Sequence, residues 1–242
     1  MKKKILDNVK TIFYALVIAL VIRSLFFQPF YIPSSSMEPT LLIGDRLFVS
    51  KYSYGYSRHS FPFSPRLYGK RFLPKRPARG DVIVFKTPAD NRTDYIKRLI
   101  GLPGDTVQIS NGDLYLNNIK VDKLRTENTK IINCGKRIIN VNSFIETLPN
   151  GINYEAVYNE EGTMMNTDKY LVPINHYFFM GDNRDCSKDS RFLGSVGYVN
   201  FNNLVGKAQI VFFSNDKKKG SFFKFWKWHK SFRIKRFFKG IL

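Results

Sequence analysis

The chain has 242 residues, 43% hydrophobic and 15% aromatic, with 39 Lys and Arg against 19 Asp and Glu, a formal net charge of +20. That length supports one good core or two small lobes, and the hydrophobic content is that of an ordinary globular protein rather than a disordered or multi-span one. The charge points to an anionic partner, membrane surface or nucleic acid. Two cysteines, Cys134 and Cys186, exclude a disulfide framework; their long spacing favours two free thiols, with a single disulfide as the alternative in an oxidising compartment.

Residues 1–10 are basic, with Lys2, Lys3, Lys4 and Lys10. Residues 11–28 form an apolar segment interrupted at Arg23 and Ser24. It is near the short end for a spanning helix, and no small-x-small cleavage site follows it, so an uncleaved single-pass anchor is expected. The preceding lysines orient the N-terminus to the cytoplasm and everything after the anchor to the outside.

The anchor leads into Ile32-Pro33-Ser34-Ser35-Ser36-Met37-Glu38-Pro39-Thr40-Leu41, whose two prolines argue for a loop. The segment 51–78, rich in Tyr, Ser, Pro, Arg and Phe, reads as a long loop. It either meets lipid or substrate through Phe61, Phe63, Tyr68 and Phe72 or packs on the body. Residues 82–85 and 94–100 are strand candidates, and in the second an alternating pattern puts Lys97 on one face with Tyr95 and Leu99. The runs 107–109 and 114–116 flank Asn111-Gly112-Asp113, a hairpin signal. A polar stretch follows to about residue 175, then core strand candidates at 177–180 and 208–213. The tail 216–242 interleaves ten Lys and Arg with eight Phe and Trp against one Asp. Such a segment can lie on anionic lipid or stack on nucleic acid; the anchor favours lipid, and no nucleic acid is expected.

The loop at Ser36 is followed by Arg79-Gly80-Asp81-Val82-Ile83-Val84-Phe85, by Tyr95-Ile96-Lys97-Arg98-Leu99-Ile100-Gly101-Leu102-Pro103-Gly104-Asp105, and by Gly181-Asp182-Asn183-Arg184-Asp185-Cys186-Ser187-Lys188-Asp189-Ser190-Arg191. In this order, after an N-terminal anchor, the four stretches resemble the signature boxes of bacterial type I signal peptidases, membrane-bound Ser–Lys serine endopeptidases. The resemblance runs from about residue 16 to 213. It implies a mainly antiparallel β catalytic core at 29–110 and 176–215, with an inserted smaller β lobe at 111–175 and the basic aromatic tail outside it.

The resemblance also implies roles. Ser36 is the nucleophile and Lys97 the general base. The Ser36 N–H and the Ser34 hydroxyl form the oxyanion hole, and such donors contribute about 3–4 kcal/mol each to rate. Ser187 hydrogen-bonds the lysine amine, Asp189 and Arg191 form a supporting ion pair, and Asp182 and Arg184 are structural. A lysine serves as base only when burial lowers its pKa. Two residues depart from the pattern. Ser35 stands where the family usually has Gly, which predicts strain if φ is positive there, and Cys186 stands where it usually has Asn, which suggests oxidation sensitivity. The implied substrates are exported preproteins whose signal peptides end in small-x-small residues. They would bind by strand addition to pockets near Met37, 82–85 and Tyr95, on a monomer in the inner membrane.

The alternatives have less behind them. His59, His176 and His229 sit in no triad motif. Arg184 and Lys188 break up the carboxylates that a divalent metal would need, so no metal and no cofactor are expected. A self-cleaving repressor would carry a DNA-reading helix pair instead of an anchor. A non-catalytic, membrane-tethered basic protein is favoured by the tail and opposed by the ordered boxes, and a degenerate, inactive peptidase is opposed by the intact Ser36, Lys97 and Ser187.

Overall fold

The computed structural model describes residues 2–65, 69–135, 137–159, 164–216 and 231–241. It is mainly antiparallel β behind one apolar helix. Helix α1 (Lys2–Val21) continues through one π turn (Ile22–Phe26), and Lys4–Phe26 is long and apolar enough to cross a membrane, with none of its apolar window buried in the protein. Its side chains gain nothing from the body, so another apolar medium must take them.

The main sheet runs β1 (Phe27–Tyr31), β2 (Asp45–Ser50), β14 (Leu204–Ser214), β3 (Val82–Lys86), β4 (Asp94–Gly101), β12 (His176–Met180), β13 (Val199–Asn200). β3 is Val-Ile-Val-Phe and buried throughout that run, the signature of a strand covered on both faces. β4 pairs β3 from Asp94 to Arg98 but meets β12 only from Arg98 onward. The first half of β4 therefore keeps one unpaired edge, as does β1, which pairs β2 alone.

A second sheet is β11 (Tyr170–Leu171), β5 (Thr106–Ser110), β6 (Asp113–Leu116), β7 (Ile119–Lys120). Asn111 and Gly112, both at positive φ, close the β5–β6 turn, the backbone that Asn-Gly favours. The boundary expected at residue 111 falls inside this hairpin, so β5 belongs to the small sheet. A third sheet is β8 (Asp122–Cys134), β9 (Arg137–Thr147), β10 (Asn153–Tyr158). β10 reaches back to the catalytic body: Val157 N–H donates to Asp182 O (2.9 Å) and Arg184 N–H to Val157 O (3.0 Å).

Two expectations are corrected, and one open alternative is decided. Cys134 and Cys186 are not free thiols: they form a disulfide, with Cα atoms 5.4 Å apart. Spacing in sequence carries no information on this distance; the β8–β9 hairpin brings its tip to the 181–191 loop. The tail does not lie apart from the body along its whole length. Residues 217–230 are outside the described residues, but β15 (Lys239–Gly240) pairs with β14, and Ile241 is buried in the cluster that holds Met37 and Leu41. β14 has an open edge there, and the two-residue β15 pairs with it while Ile241 next to it turns into the core. The loop 51–78 in large part packs on the body: Tyr54 is buried, and buried Arg71 donates to the carbonyls of Gly55 (2.8 Å), Phe201 (2.8 Å) and Leu204 (2.5 Å). Phe61 is half-buried and Phe63 and Phe72 are exposed, while Tyr68 lies outside the described residues.

The disulfide closes a loop across 52 residues, so Cys134→Ser is expected to lower stability by about 2–4 kcal/mol. Thermal melts should show Tm falling by about 5–15 °C. Intact mass should show two hydrogens gained on reduction of the wild type and none in the variant paired with Cys186→Ser. An unchanged Tm would mean that the bridge contributes nothing to the folded chain.

Candidate active site

Ser36 sits in the loop between β1 and β2, and Lys97 on β4 opposite Ile83 of β3. The chain from Ile32 to Leu41 cannot continue as a strand past its prolines, so it folds over the sheet. Met37 and Leu41 are fully buried beneath it and hold it down. The Ser36 Oγ lies 2.6 Å from the Lys97 Nζ, and that amine also donates to the Ile96 carbonyl at 3.0 Å. Both residues are buried, Lys97 at 3% exposure. The Lys97 amine stands 5.5 Å from the centre of the Tyr95 ring. Burial pushes the Lys97 pKa down to about 8; Asp189 and Asp182 act against that shift and Arg191 with it. The Ser34 hydroxyl is 3.3 Å from the Ser36 Oγ.

The loop 181–191 surrounds this pair. Asp189 and Arg191 form a buried ion pair, Nε to Oδ1 at 2.8 Å and Nη2 to Oδ2 at 2.9 Å. Burial alone would raise the Asp189 carboxyl, but Arg191 and its other donors hold it below the usual carboxylate range. Arg184 is fixed by Glu146 (2.7 Å), and so ties this loop to β9. Ser187 is buried in the same loop. Its buried hydroxyl faces the Asp189 carboxylate, whose pKa it helps to lower, without a hydrogen bond of ordinary distance and angle, and it makes none to the Lys97 amine. The amine already has Ser36 and Ile96 as neighbours.

Ser35 needs no left-handed backbone: its φ is not positive, so the strain expected from losing a glycine is absent. Its carbonyl accepts from Asn183 Nδ2 (3.2 Å) and Glu38 N–H (3.0 Å). Cys186 is held in the disulfide and cannot act as the oxidisable thiol that the sequence suggests. Neither His59 nor His176 contacts Ser36: His59 meets Ser64 and Arg58, and His176 meets Ile174 and Asn200. His229 is outside the described residues. Among the described residues no group of three His, Cys, Asp or Glu side chains is placed to hold a metal ion.

Five positions carry structural weight that sequence reading did not assign. Asn183 grips the Ser36 loop twice, through its N–H to Ser36 O (3.2 Å) and its amide to Ser35 O. Gly181 lets that loop approach, since a Cβ there would lie 2.3 Å from both Ser36 O and Ser187 Oγ. Arg98 is fully buried and pairs with Asp182 through Nε and Nη2, both at 2.8 Å, while donating to Gly80 O. Thr40 donates to the same Asp182 carboxylate (2.5 Å). Arg236 reaches in from the C-terminal segment to Asp45 (2.5 Å) and Thr40 O (2.9 Å). Gly181, Asp182 and Asn183 lie inside the matched box and Arg98 beside Lys97, a signal of place though not of role.

A cavity of about 480 Å³ opens at the pair, between the unpaired edges of β1 and β4. Phe30, Ile32, Val84, Tyr95 and Ile96 line it, with Cys186 and Lys188 at one side. Of the walls expected from sequence, Val84 and Tyr95 are there. Met37, Val82, Ile83 and Phe85 are core residues, turned to the other side of the sheet or under the loop.

A hydroxyl against a buried amine of lowered pKa, in a groove between two open strand edges, is the equipment of a serine peptidase. Comparison with known proteins agrees. A family model described as signal peptidase, peptidase S26, matches residues 5–213. Signal peptidase I of Rickettsia conorii (strain ATCC VR-613 / Malish 7) is 41% identical over 249 residues, covering 94% of this chain and 90% of that protein. Signal peptidase I of Rickettsia bellii (strain OSU 85-389) is 38% identical over 251 residues, with 96% and 84% covered. A crystal structure of a signal peptidase I from Enterococcus faecalis V583 aligns at 26% identity and TM-score 0.33, covering 55% of this chain and 97% of that one. The chain belongs to the signal peptidase family, peptidase S26, and is a serine endopeptidase.

Arg98→Met would leave Asp182 buried without its cation. The expected loss is about 3–5 kcal/mol, the cost of an uncompensated buried charge. Urea unfolding checks it, and a loss under about 1 kcal/mol would mean that Asp182 finds another partner.

Proposed function

We propose that this chain is a membrane-anchored endopeptidase that removes N-terminal signal peptides from exported preproteins after small-x-small sites, with Ser36 and Lys97 as a dyad. The observation that carries the reading is the 2.6 Å approach of the Ser36 Oγ to the buried Lys97 Nζ. The lysines before the helix put the N-terminus in the cytoplasm and the catalytic domain on the far side of the membrane. The enzyme works as a monomer.

With an amine pKa of about 8, roughly a tenth of the molecules carry neutral Lys97 at pH 7. In these the Ser36 hydroxyl donates to the amine lone pair. As Oγ attacks the scissile carbonyl carbon, the hydroxyl proton passes to Nζ, and the carbonyl π pair moves to oxygen. The Ser36 N–H and the Ser34 hydroxyl stabilise that oxyanion. The ammonium then protonates the departing amine as the C–N bond breaks, leaving an acyl-enzyme on Ser36. Water repeats the sequence, giving its proton to Lys97 and releasing the carboxylate product. Asp189, Arg191 and Ser187 support the lysine through the geometry of their loop.

The substrate lies extended between β1 and β4, pairing with the first half of β4. Every second side chain then faces the groove floor. Ile32, Val84 and Ile96 give the groove apolar walls, the surface to which this reading assigns the small residues at the first and third positions before the cut.

Cleavage of a preprotein with an Ala-x-Ala site by wild type, Ser36→Ala and Lys97→Ala tests the dyad. Both variants should lose at least about 10³-fold in kcat while keeping the wild-type Tm. Substantial cleavage by Lys97→Ala would require another base, and no cleavage by wild type on several preproteins would sink the substrate assignment. Because the neutral amine is the working form, kcat/KM should rise about tenfold per pH unit below pH 8 and level off above it. A profile flat from about pH 6 to 10 would contradict Lys97 as base.

A further inference from the structure

We propose that a second cavity, between Arg23, His59 and Arg92 at the outer end of the apolar helix, binds the phosphodiester headgroup of an anionic membrane phospholipid. The proposal rests on the membrane-anchored reading above and concerns a site distinct from the Ser36 groove.

The cavity holds about 350 Å³. Its lining carries three fixed cations, Arg23, Lys86 and Arg92, against a single carboxylate, Asp94. That carboxylate is already engaged, its Oδ1 lying 2.9 Å from Lys86 Nζ. The guanidinium groups of Arg23 and Arg92 make no hydrogen bond or ion pair among the described residues. Behind the cavity wall lies a further cation. Lys51 is 1% exposed, donates to the His59 carbonyl (3.2 Å) and has no carboxylate partner among the described residues. Burial pushes its pKa down to about 7; Asp94 works against the shift, and Arg23, Lys86 and Arg71 add to it. The Arg23 and Arg92 guanidiniums are solvent-exposed and so open to an anion, and an anion held between them would favour the charged form of the buried Lys51 amine.

The wall is built, not incidental. The turn Arg58–Ser60 is closed by a reciprocal pair of bonds between Ser57 and Ser60. The His59 ring is spoken for on both nitrogens, by the Ser64 hydroxyl (2.9 Å) and the Arg58 Nε (3.1 Å), and burial holds its pKa down to about 4. His59 thus stays a neutral, fixed wall, and the charge on offer is that of the arginines.

Position identifies the anion. Arg23 belongs to the apolar span Lys4–Phe26, so the cavity opens at headgroup level. At its rim Phe63 is fully exposed, at 103%, and Phe61 is half-buried, where rings can sit at the lipid boundary. The phosphate at that depth is the phospholipid's own. The cavity also shares Phe30 and Asp94 with the Ser36 groove, so a bound headgroup borders the path of the substrate.

The test uses the full chain in a neutral detergent. Its Tm is followed while dihexanoylphosphatidylglycerol, dihexanoylphosphatidylcholine or inorganic phosphate is added below micelle-forming concentration. A ligand that binds only the folded state raises Tm in a saturable way. The expected result is a saturable rise with the anionic lipid, at least tenfold weaker response to the choline lipid, and a tenfold or greater loss of affinity in Arg23→Gln/Arg92→Gln. Ser36→Ala should respond like wild type. No saturable rise with the anionic lipid, or an undiminished one in the double variant, overturns the site; an equal response to inorganic phosphate overturns the lipid as its source. Failure of the anchored reading would show separately, as recovery of the full chain in the soluble fraction without detergent.

Discussion

The buried amine of Lys97 is the point on which the ion pairs of the catalytic body bear. Lys97 would hold its proton near pH 10.4 in water; 3% exposure brings that to about 8. The ammonium is destabilised by lost solvation, and two buried carboxylates, Asp189 and Asp182, act in the other direction. The fold resolves this by giving each carboxylate a stronger partner. Arg191 takes Asp189 and Arg98 takes Asp182, both through two donors. The acids that would otherwise keep Lys97 charged are in this way largely neutralised by arginine.

The same ion pairs set geometry. Asp182 collects Arg98 from β4 and Thr40 from the Ser36 loop, so the strand that carries Lys97 and the loop that carries Ser36 meet on one carboxylate. Asn183, next in sequence, grips the loop by its backbone. Arg236, outside the span of the family match, adds a hold on Thr40 from the far end of the chain. The β8–β10 sheet and the disulfide restrain the loop 181–191 from the opposite side. The approach of Ser36 to Lys97 is thus held from four sides.

How much of this was legible follows from what kind of information each feature carries. The strand at Lys97 and the Asn-Gly hairpin are local, set by side-chain alternation and by φ, and sequence reports both. The pairing of Ser36 with Lys97 was named from motifs and not from any pattern that fixes distance. The Arg98–Asp182 contact spans 84 residues, and Arg98 in a strand gives no hint of full burial, since arginine is seldom buried without a partner. The disulfide was read the wrong way because residue spacing says nothing about Cα separation in a hairpin tip. The last residues misled for a related reason. Alternating cations and aromatics look alike whether they face lipid or close a sheet edge, and only the open edge of β14 decides.

The most direct test of the account is a titration of Lys97 itself, by the ¹³Cε and ¹⁵Nζ chemical shifts of selectively labelled lysine in the Ser36→Ala protein, assigned by the signal lost in Lys97→Ala. The account predicts a midpoint near pH 8, more than two units below that of the solvent-exposed lysines. A midpoint near pH 10.4 would mean that the amine is solvated and charged at working pH, and the dyad as described could not operate.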